Sequence, residues 1–472
     1  MSSDPSVSER ANGRHRSPRL TWNVLMIAVT GLLLWQVRTA ALLDPPAHDP
    51  GVRDAAVPAA GDALPGITDD EREYFNIGKD DFLEAEEVKD GLGPRMNLDS
   101  CAGCHMQPAV GGSSPSVNPQ VAFASKDNGT DAVPPFITEN GPVREARFVS
   151  NADGTRDGGV HALFTINGRS GAIGCSLTQP DFAAPLAANN VIFRIPTPTF
   201  GAGLIEQIPD AAILANGANN GAAKSALGIR GRANFHVSGR TITGQTNNNG
   251  NDGTIARFGW KAQNKSLLVF SGEAYNVEMG ITNELFQTER DETAKCQYAK
   301  TPNSVFNLAA TTPAEAMSSI EKFTTFMRYL APPKASTTMP GGSESISNGG
   351  KIFNSVGCAL CHTPSFTTGD SYSLALRNVP VNLYSDLLVH DMGVGLADGV
   401  SQGEAGPREF RTAPLWGLGQ RIFFLHDGRT SDLLAAIRMH RSTGSEANGV
   451  LARLSFMTEA QKQDLLNFLR SL

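Results

Sequence analysis

Two short stretches of this 472-residue chain carry the residue types best suited to chemistry: Cys101-Ala-Gly-Cys104-His105 and Cys358-Ala-Leu-Cys361-His362. The pattern C-x-x-C-H is the attachment signature of a c-type haem. Its two thiols bond the porphyrin vinyl groups, and its histidine is placed under the iron as the proximal ligand. A single copy leaves open a zinc half-site or a redox-active thiol pair. Two complete copies favour two covalently bound haem c groups, with His105 and His362 as iron ligands.

Composition and charge limit the remaining possibilities. Apolar residues make up 40% of the chain, charged residues 18%, and the formal net charge is −7. Nothing in this balance indicates a nucleic-acid partner, and the length predicts two or three domains. Two cysteines, Cys175 and Cys296, lie outside the C-x-x-C-H motifs. Because covalent haem attachment is expected outside the cytoplasm, this pair predicts a structural disulfide, with two buried free thiols as the alternative.

The N-terminal residues predict export. Leu20–Val37 is a mostly apolar run of about 18 residues, at the lower limit for a membrane span, and the arginines before it place the N-terminus in the cytoplasm. Residues 1–41 are thus a signal peptide cleaved near Thr39-Ala40-Ala41 or an uncleaved membrane anchor. Trp22 and Trp35 near the ends of the run favour the anchor. Either alternative gives a periplasmic protein or one anchored to the cytoplasmic membrane facing the periplasm.

Beyond a linker predicted for residues 42–67, two segments of the chain begin in the same way. Gly78-Lys-Asp-Asp-Phe82 precedes the first haem motif, and Gly349-Gly-Lys-Ile-Phe353 precedes the second. The string G-x-x-x-F followed by C-x-x-C-H is typical of the first helix of a cytochrome c domain. The shared beginning therefore indicates an internal repeat.

The two segments also end in the same way. Thr312-Pro-Ala-Glu315 and Thr458-Glu-Ala-Gln461 are capping boxes. Each is expected to open one helix with apolar residues at helical spacing. In a cytochrome c fold the first and last helices cross and pack. The apolar positions are Ile320, Phe323, Met327 and Leu330 in the first segment, and Leu465, Phe468, Leu469 and Leu472 in the second.

The fold class that follows is mainly α, with two tandem cytochrome c-like domains at residues 68–332 and 343–472. Pro332–Gly342 is the predicted hinge. The first domain is longer because of a loop-rich insertion between about residues 115 and 290, which includes short strand-like pieces such as Ala162–Ile166 and the turn-rich Asn247–Asp252.

Several further strings bring out a family resemblance over about residues 68–472. The chain resembles the dihaem oxidoreductase branch of the dihaem cytochrome c peroxidase superfamily, which also contains a dihaem enzyme that matures a quinone cofactor. The matching strings are Asp90-Gly-Leu-Gly-Pro94, Gly111-Gly112-Ser-Ser, Arg257-Phe-Gly-Trp-Lys261, Glu278-Met-Gly-Ile-Thr-Asn283, Tyr384-Ser-Asp-Leu-Leu-Val-His-Asp-Met-Gly393, Phe410-Arg-Thr-Ala-Pro-Leu-Trp-Gly417 and Leu425-His-Asp-Gly-Arg429.

The resemblance implies a sixth iron ligand at the second haem, on a helix shortly after a His-Asp-Gly turn. Aligning Leu425-His426-Asp427-Gly428 with that turn places His440 at the ligand position, with Met439 beside it. Histidine ligation would give a low-potential, six-coordinate haem, whereas methionine would raise the potential. We expect His440 to be the ligand, with a solvated surface histidine as the alternative. We expect His426 to hydrogen-bond a haem propionate.

At the first haem the sequence departs from the superfamily. The peroxidases carry a distal histidine a short way beyond the motif, but Ser116–Val121 contains none. An open, five-coordinate iron is therefore expected, with His161 and His236 as alternative distal ligands. The superfamily uses a glutamate in a Glu-Met-Gly string for proton transfer, which corresponds to Glu278, and places a tryptophan between the haems, near Trp260. The alternatives are a surface or capping glutamate and a core tryptophan.

The implied function is a peroxidase-like oxidoreductase that passes electrons from the C-terminal haem to peroxide at the N-terminal haem. The partners would be an electron-donor redox protein or quinol-linked donor, hydrogen peroxide or another small oxidant, and the cytoplasmic membrane if the N-terminal segment stays uncleaved. Two alternatives are a non-catalytic electron-transfer cytochrome and a haem-dependent oxidative modifying enzyme. The superfamily also holds calcium between its domains; Asp386, Asp391 and Asp398 offer oxygens, without a specific calcium spacing.

Overall fold

The structure is a computed structural model, and it describes the chain from residue 45 onward with several gaps. The residues from His48 to Leu472 form one compact unit. Within the described ranges, no helix is both long enough and apolar enough to cross a membrane. Leu20–Val37, His161 and His236 lie outside these ranges. The described residues are 45–53, 57–93, 95–126, 133–151, 153–155, 164–165, 172–175, 181–235, 241–242, 245–246, 255–287, 294–296 and 302–472.

The first helix pair joins α1, Asp69–Leu83, to α10, Ser319–Tyr329. A Cβ on Gly78 would lie 2.2 Å from the Lys322 carbonyl oxygen, so only glycine permits this approach. Phe75 and Phe82 pack on Phe326 with ring centroids 5.3 and 4.9 Å apart. The first and last helices of the first segment therefore pack against each other, as the repeat predicts.

The prediction that the Thr312 capping box opens the long C-terminal helix of this segment is wrong. Thr312 caps only α9, Pro313–Ala316, because the backbone of Met317 is extended. Ser318 then forms a separate capping box with Glu321 and starts α10. The predicted apolar positions Ile320, Phe323, Met327 and Leu330 are nevertheless all buried.

The second helix pair repeats the first. Helix α11, Gly342–Val356, crosses α14, Glu459–Ser471. A Cβ on Gly349 would lie 2.0 Å from the Asp464 carbonyl oxygen, and the Phe353 and Phe468 ring centroids are 5.4 Å apart. The predicted capping box of Thr458 and Gln461 opens α14. Both pairs lie within one compact unit, so the division into two domains stays a prediction.

Short helices connect and flank these pairs. Helix α8 is the longest of them and passes through the interior with most of its residues buried. The α-helices not yet given are α2 Cys101–Cys104, α3 Pro119–Lys126, α4 Ala183–Ala187, α5 Ala202–Glu206, α6 Asp210–Ala218, α7 Gly221–Leu227, α8 Leu267–Met279, α12 Leu433–Met439 and α13 Asn448–Leu454. Single 3₁₀ turns cover Val88–Asp90, Ala294–Cys296, Cys358–Leu360, Leu374–Leu376 and Leu418–Gln420.

The strands are short and form antiparallel pairs, mostly in the predicted insertion. The pairs are β1 with β3, β2 with β4, β5 with β8, β6 with β7, β9 with β10 and β11 with β12. Their bounds are β1 Arg95–Met96, β2 Glu145–Phe148, β3 Phe164–Thr165, β4 Val191–Arg194, β5 Asn234–Phe235, β6 Thr241–Ile242, β7 Gln245–Thr246, β8 Ile255–Ala256, β9 Phe366–Thr367, β10 Pro380–Val381, β11 Val389–Asp391 and β12 Glu409–Arg411. The described part is thus mostly helical with few short strands, as expected.

Three further contacts tie distant parts of the chain together. Cys175 and Cys296 form a disulfide, which confirms the sequence prediction. Asp49 accepts two hydrogen bonds from the buried Arg470, at 2.7 and 2.6 Å. Leu64 is buried and donates its backbone N–H to the Tyr329 carbonyl at 2.7 Å. The described part of the predicted linker is therefore packed against the helices rather than free.

The close crossing at Gly349 predicts the outcome of two neighbouring substitutions. Gly349→Ala should lower the free energy of unfolding by ~1–3 kcal/mol, the usual cost of overpacking, because its Cβ would overlap the α14 backbone. Gly350→Ala places its Cβ at an ordinary 3.4 Å from Phe468 and should be neutral or stabilise the helix by up to ~1 kcal/mol. Urea titration followed by circular dichroism measures both, and equal effects would contradict the packing argument.

Candidate functional site

The first C-x-x-C-H motif is a single helical turn that begins at a side-chain cap. Ser100 accepts the backbone N–H of Gly103 and opens α2, and Cys101 and Cys104 are free thiols. His105 follows at the end of the turn, with its Nδ1 at 3.0 Å from the carbonyl oxygen of Gly112. The ring also faces the Thr197 backbone carbonyl. A carbonyl only accepts, so the short contact with Gly112 suits the neutral tautomer that carries its hydrogen on Nδ1 and keeps the Nε2 lone pair. This is the usual second contact of a metal-binding histidine.

The two thiols and His105 line an open cavity. Its empty space, including the solvent-filled opening, is about 1370 Å³. Burial lowers the pKa of His105 to about 4, which keeps the imidazole neutral and able to bind a metal. His105 is the one histidine among the described residues that line this cavity.

Glu278, at the end of α8, lines the same cavity. Burial, together with the carboxylates of Glu145 and Glu273, raises the pKa of Glu278 to about 8. The Glu278 carboxyl group has no hydrogen-bond partner among the described residues. The nearby Glu273 carboxylate, by contrast, accepts a hydrogen bond from the Asn264 side chain. The backbone carbonyl of Glu278 accepts from Asn97 at 2.8 Å, which fixes the end of the helix. A proton can therefore be held or released at this carboxyl group near neutral pH.

Near this cavity lies a pair that the sequence analysis missed. The Tyr275 hydroxyl, which comes from α8 and lines the cavity, donates to Glu86 at 2.6 Å, and both side chains are buried. Burial raises the pKa of Glu86 to about 7, although the bond from Tyr275 lowers it. Glu86 precedes the motif in an ordinary polar stretch, so no sequence signal pointed to it.

The second C-x-x-C-H motif follows α11 directly. Cys358 and Cys361 lie on and just after the 3₁₀ turn Cys358–Leu360, both as free thiols. His362 has its Nδ1 at 3.0 Å from the Tyr384 carbonyl oxygen, so it repeats the arrangement of His105. Burial lowers the pKa of His362 to about 4, and the nearby His440 contributes a smaller lowering. The two motifs therefore present chemically equivalent histidines.

These residues line a second cavity of about 1380 Å³, which His440 also lines. His440 is the C-cap of α12, and its Nδ1 lies 2.8 Å from the Ala436 carbonyl oxygen. The Nε2 lone pair is thus left for a metal, as at the other two histidines. Met439 is not among the residues that line the cavity. Of the two predicted alternatives, the structure brings His440 and not Met439 to the cavity shared with His362.

Three further residues line the second cavity with polar groups. The His426 ring stacks on Phe410 at a centroid separation of 4.3 Å. Arg411 and Arg421 line the cavity too, and neither makes an ion pair with a described carboxylate. Burial lowers the pKa of both arginines to about 10. A neighbouring positive charge adds to this effect: Arg421 lies beside Arg411, and Arg470 lies beside Arg421. Arg411 Nε donates to the Gly259 carbonyl at 2.9 Å. Because neither arginine has a carboxylate partner among the described residues, the cavity is suited to an anionic group.

Trp260 lines both cavities. Its indole Nε1 donates to the Ile195 carbonyl at 2.9 Å, and its own carbonyl accepts from the Arg411 backbone N–H at 2.9 Å. The neighbouring Lys261 is fully buried between the Phe410 ring and Asp398. The side chain predicted to lie between two haems is therefore fixed between the two cavities.

The aspartates considered for calcium are engaged by cations of the chain itself. Asp386 pairs with His390 at 3.0 Å, Asp391 with Arg408 at 2.5 Å, and Asp398 with Arg194 and Lys261. In the part of the chain that the structure describes, no group of three His, Cys, Asp or Glu side chains is arranged to hold a metal ion. The donor set therefore does not fit an inter-domain calcium site.

The two cavities do fit haem. Each combines a pair of free thiols with a neutral histidine whose Nδ1 is bonded to a carbonyl, and the second adds His440 and unpaired arginines suited to propionates. Sequence patterns identified the thiols and histidines. Arg411 lies in one of the matching strings, but its role was missed because a string does not show which charges lack partners.

Comparison with solved structures gives 19 similar chains. Hydrazine synthase of Kuenenia stuttgartiensis is 18% identical over 43% of this chain and 61% of its own, with a TM-score of 0.24. A MauG-like protein associated with microbial copper homeostasis is 18% identical over 35% of this chain and 58% of its own, with a TM-score of 0.23. The diheme peroxidase BthA from Burkholderia thailandensis is 13% identical over 59% of this chain and 86% of its own, with a TM-score of 0.27.

The chain thus spans less than two thirds of the first two of these structures. No curated protein matches the sequence. A family described as "Di-haem oxidoreductase, putative peroxidase" matches residues 149–472. The matched range begins after the first C-x-x-C-H motif. That match covers more than half of the chain and confirms the resemblance seen in the sequence. The protein belongs to the di-haem oxidoreductase family, which implies two haems.

Proposed function

We propose that this protein is an exported dihaem peroxidase. Cys101 and Cys104 would bind one haem c covalently, and Cys358 and Cys361 the other. Electrons from a donor redox protein or a quinol-linked donor would enter at the second haem and pass to the first, where hydrogen peroxide takes up two electrons and two protons to give two waters. The haems would supply the iron that binds peroxide and would relay the electrons of the donor.

The observation that carries this proposal is the Glu278 carboxyl group in the first cavity. Cleavage of the O–O bond needs a group that takes a proton from one peroxide oxygen and delivers it to the departing oxygen. Glu278 suits this role because its carboxyl group lines the cavity without a hydrogen-bond partner among the described residues, and because its raised pKa lets it hold a proton near neutral pH.

Four other residues support the direction of electron flow. His362 and His440 line one cavity with their Nδ1 atoms bonded to carbonyls, which suits a six-coordinate, electron-accepting haem. In the first cavity, by contrast, His105 is the lone histidine on the described lining. Trp260 lines both cavities and would provide an aromatic path between them. The N-terminal run that would export the chain lies outside the described residues, so periplasmic location rests on the sequence.

The proton-transfer role predicts the effect of Glu278→Gln. Loss of the titrating carboxyl group should lower peroxide turnover by at least ~10²-fold, the usual contribution of a general acid–base group, with both haems still attached. Turnover is measured with hydrogen peroxide and a reduced small-molecule donor, and haem content by absorbance per polypeptide. Glu344→Gln, at an exposed position of α11, should retain full turnover. Survival of turnover in Glu278→Gln would show that Glu278 has another role.

The ligand assignment predicts a difference between two adjacent positions. His440→Leu should convert the low-spin signal of the second haem into a high-spin signal, because the iron loses its sixth ligand. Met439→Leu should leave the low-spin signal in place, since Met439 does not line the cavity. Electron paramagnetic resonance of the oxidised variants measures both signals. A low-spin signal that survives His440→Leu and disappears in Met439→Leu would reverse the assignment.

A further inference from the structure

A buried cluster of three charged side chains borders the second cavity, apart from the predicted iron ligands. His390 Nε2 lies 3.0 Å from Asp386 Oδ2, and His390 Nδ1 lies 2.7 Å from Glu446 Oε2. Asp386 is fully buried, and the His390 and Glu446 side chains are only 4% and 13% exposed. His390 and Glu446 both line the cavity. We call Asp386, His390 and Glu446 the charge triad.

The hydrogen bonds of the charge triad define its charges. Both ring nitrogens of His390 face carboxylate oxygens, so both must donate and the ring is an imidazolium. The carboxylates accept from backbone N–H groups: Asp386 Oδ1 from Leu388 at 3.1 Å, Glu446 Oε2 from Arg230 at 2.8 Å. Carboxylates held by donors only are ionised. One cation and two anions leave the triad with one net negative charge, which is fully buried at Asp386 and reaches the partly exposed Glu446.

The charge triad also contacts the haem-binding loop. His390 Nδ1 lies 3.8 Å from the Cys361 thiol, which is one of the two predicted points of haem attachment. The Asp386 backbone N–H donates to the Cys361 carbonyl at 2.9 Å. A Cβ on Gly231 would lie 2.1 Å from the His390 ring, so the chain approaches the imidazole as closely as glycine allows. The site is therefore built around His390 on every side.

We propose that the charge triad lowers the reduction potential of the second haem by keeping one net negative charge beside its attachment loop. A nearby negative charge stabilises the oxidised haem over the reduced haem, and it acts strongly where burial excludes water. This inference rests on the proposed haem in the second cavity. It does not depend on peroxide being the substrate, so it can fail while the proposed peroxidase activity stands.

The test is the midpoint potential of the second haem in the full-length protein at pH 7, measured by spectroelectrochemical titration. Glu446→Gln keeps the shape of the side chain and removes its charge, so the potential should become more positive. Glu446→Asp shortens the side chain and keeps the charge, so the potential should stay closer to that of the unaltered protein. A role in packing alone predicts the opposite order, because the isosteric glutamine would disturb the site less than the shorter aspartate.

A second variant tests the sign of the effect and guards against misfolding. His390→Gln removes the cation, so its potential should be more negative than that of Glu446→Gln. Covalent haem content and circular dichroism establish that each variant is folded. The proposal is overturned if Glu446→Gln does not raise the potential, if Glu446→Asp raises it as much, or if His390→Gln is as positive as Glu446→Gln.

Discussion

The fold depends on two helix crossings that leave no room for a side chain. Gly78 faces the α10 backbone and Gly349 faces the α14 backbone, each at a separation that a Cβ would violate. Each crossing fixes the helix that precedes a C-x-x-C-H motif, and the second motif begins directly after α11. Both motifs therefore follow a helix whose place is fixed by a close backbone contact.

Between the two cavities, polar groups are held by neighbours rather than by solvent. Trp260 is fixed by hydrogen bonds at its indole nitrogen and at its backbone carbonyl, and Lys261 beside it is paired with the buried Asp398. The three aspartates that could have bound calcium are all paired with cations of the chain. Internal ion pairs thus hold the carboxylates of this region, whereas Arg411 and Arg421 have no ion-pair partner among the described residues.

The sequence predicted most residues that could be recognised by pattern. The C-x-x-C-H motifs and the buried helix faces follow from spacing. The Cys175–Cys296 pair follows from their position outside the motifs in an exported chain, and His440 follows from the family resemblance. The break at Met317 was missed because two capping signals lie close together and only the backbone geometry shows which one opens α10. The Glu86–Tyr275 bond and the charge triad were also missed, because they join residues that are distant in the chain.

We infer that the two haems differ, with an open iron in the first cavity and a histidine-ligated iron in the second. Electron paramagnetic resonance of the oxidised full-length protein, before and after addition of hydrogen peroxide, tests it most directly. We expect one high-spin and one bis-histidine low-spin signal, and loss of the high-spin signal on addition of peroxide. Two low-spin signals that peroxide leaves unchanged would contradict it and indicate an electron-transfer cytochrome.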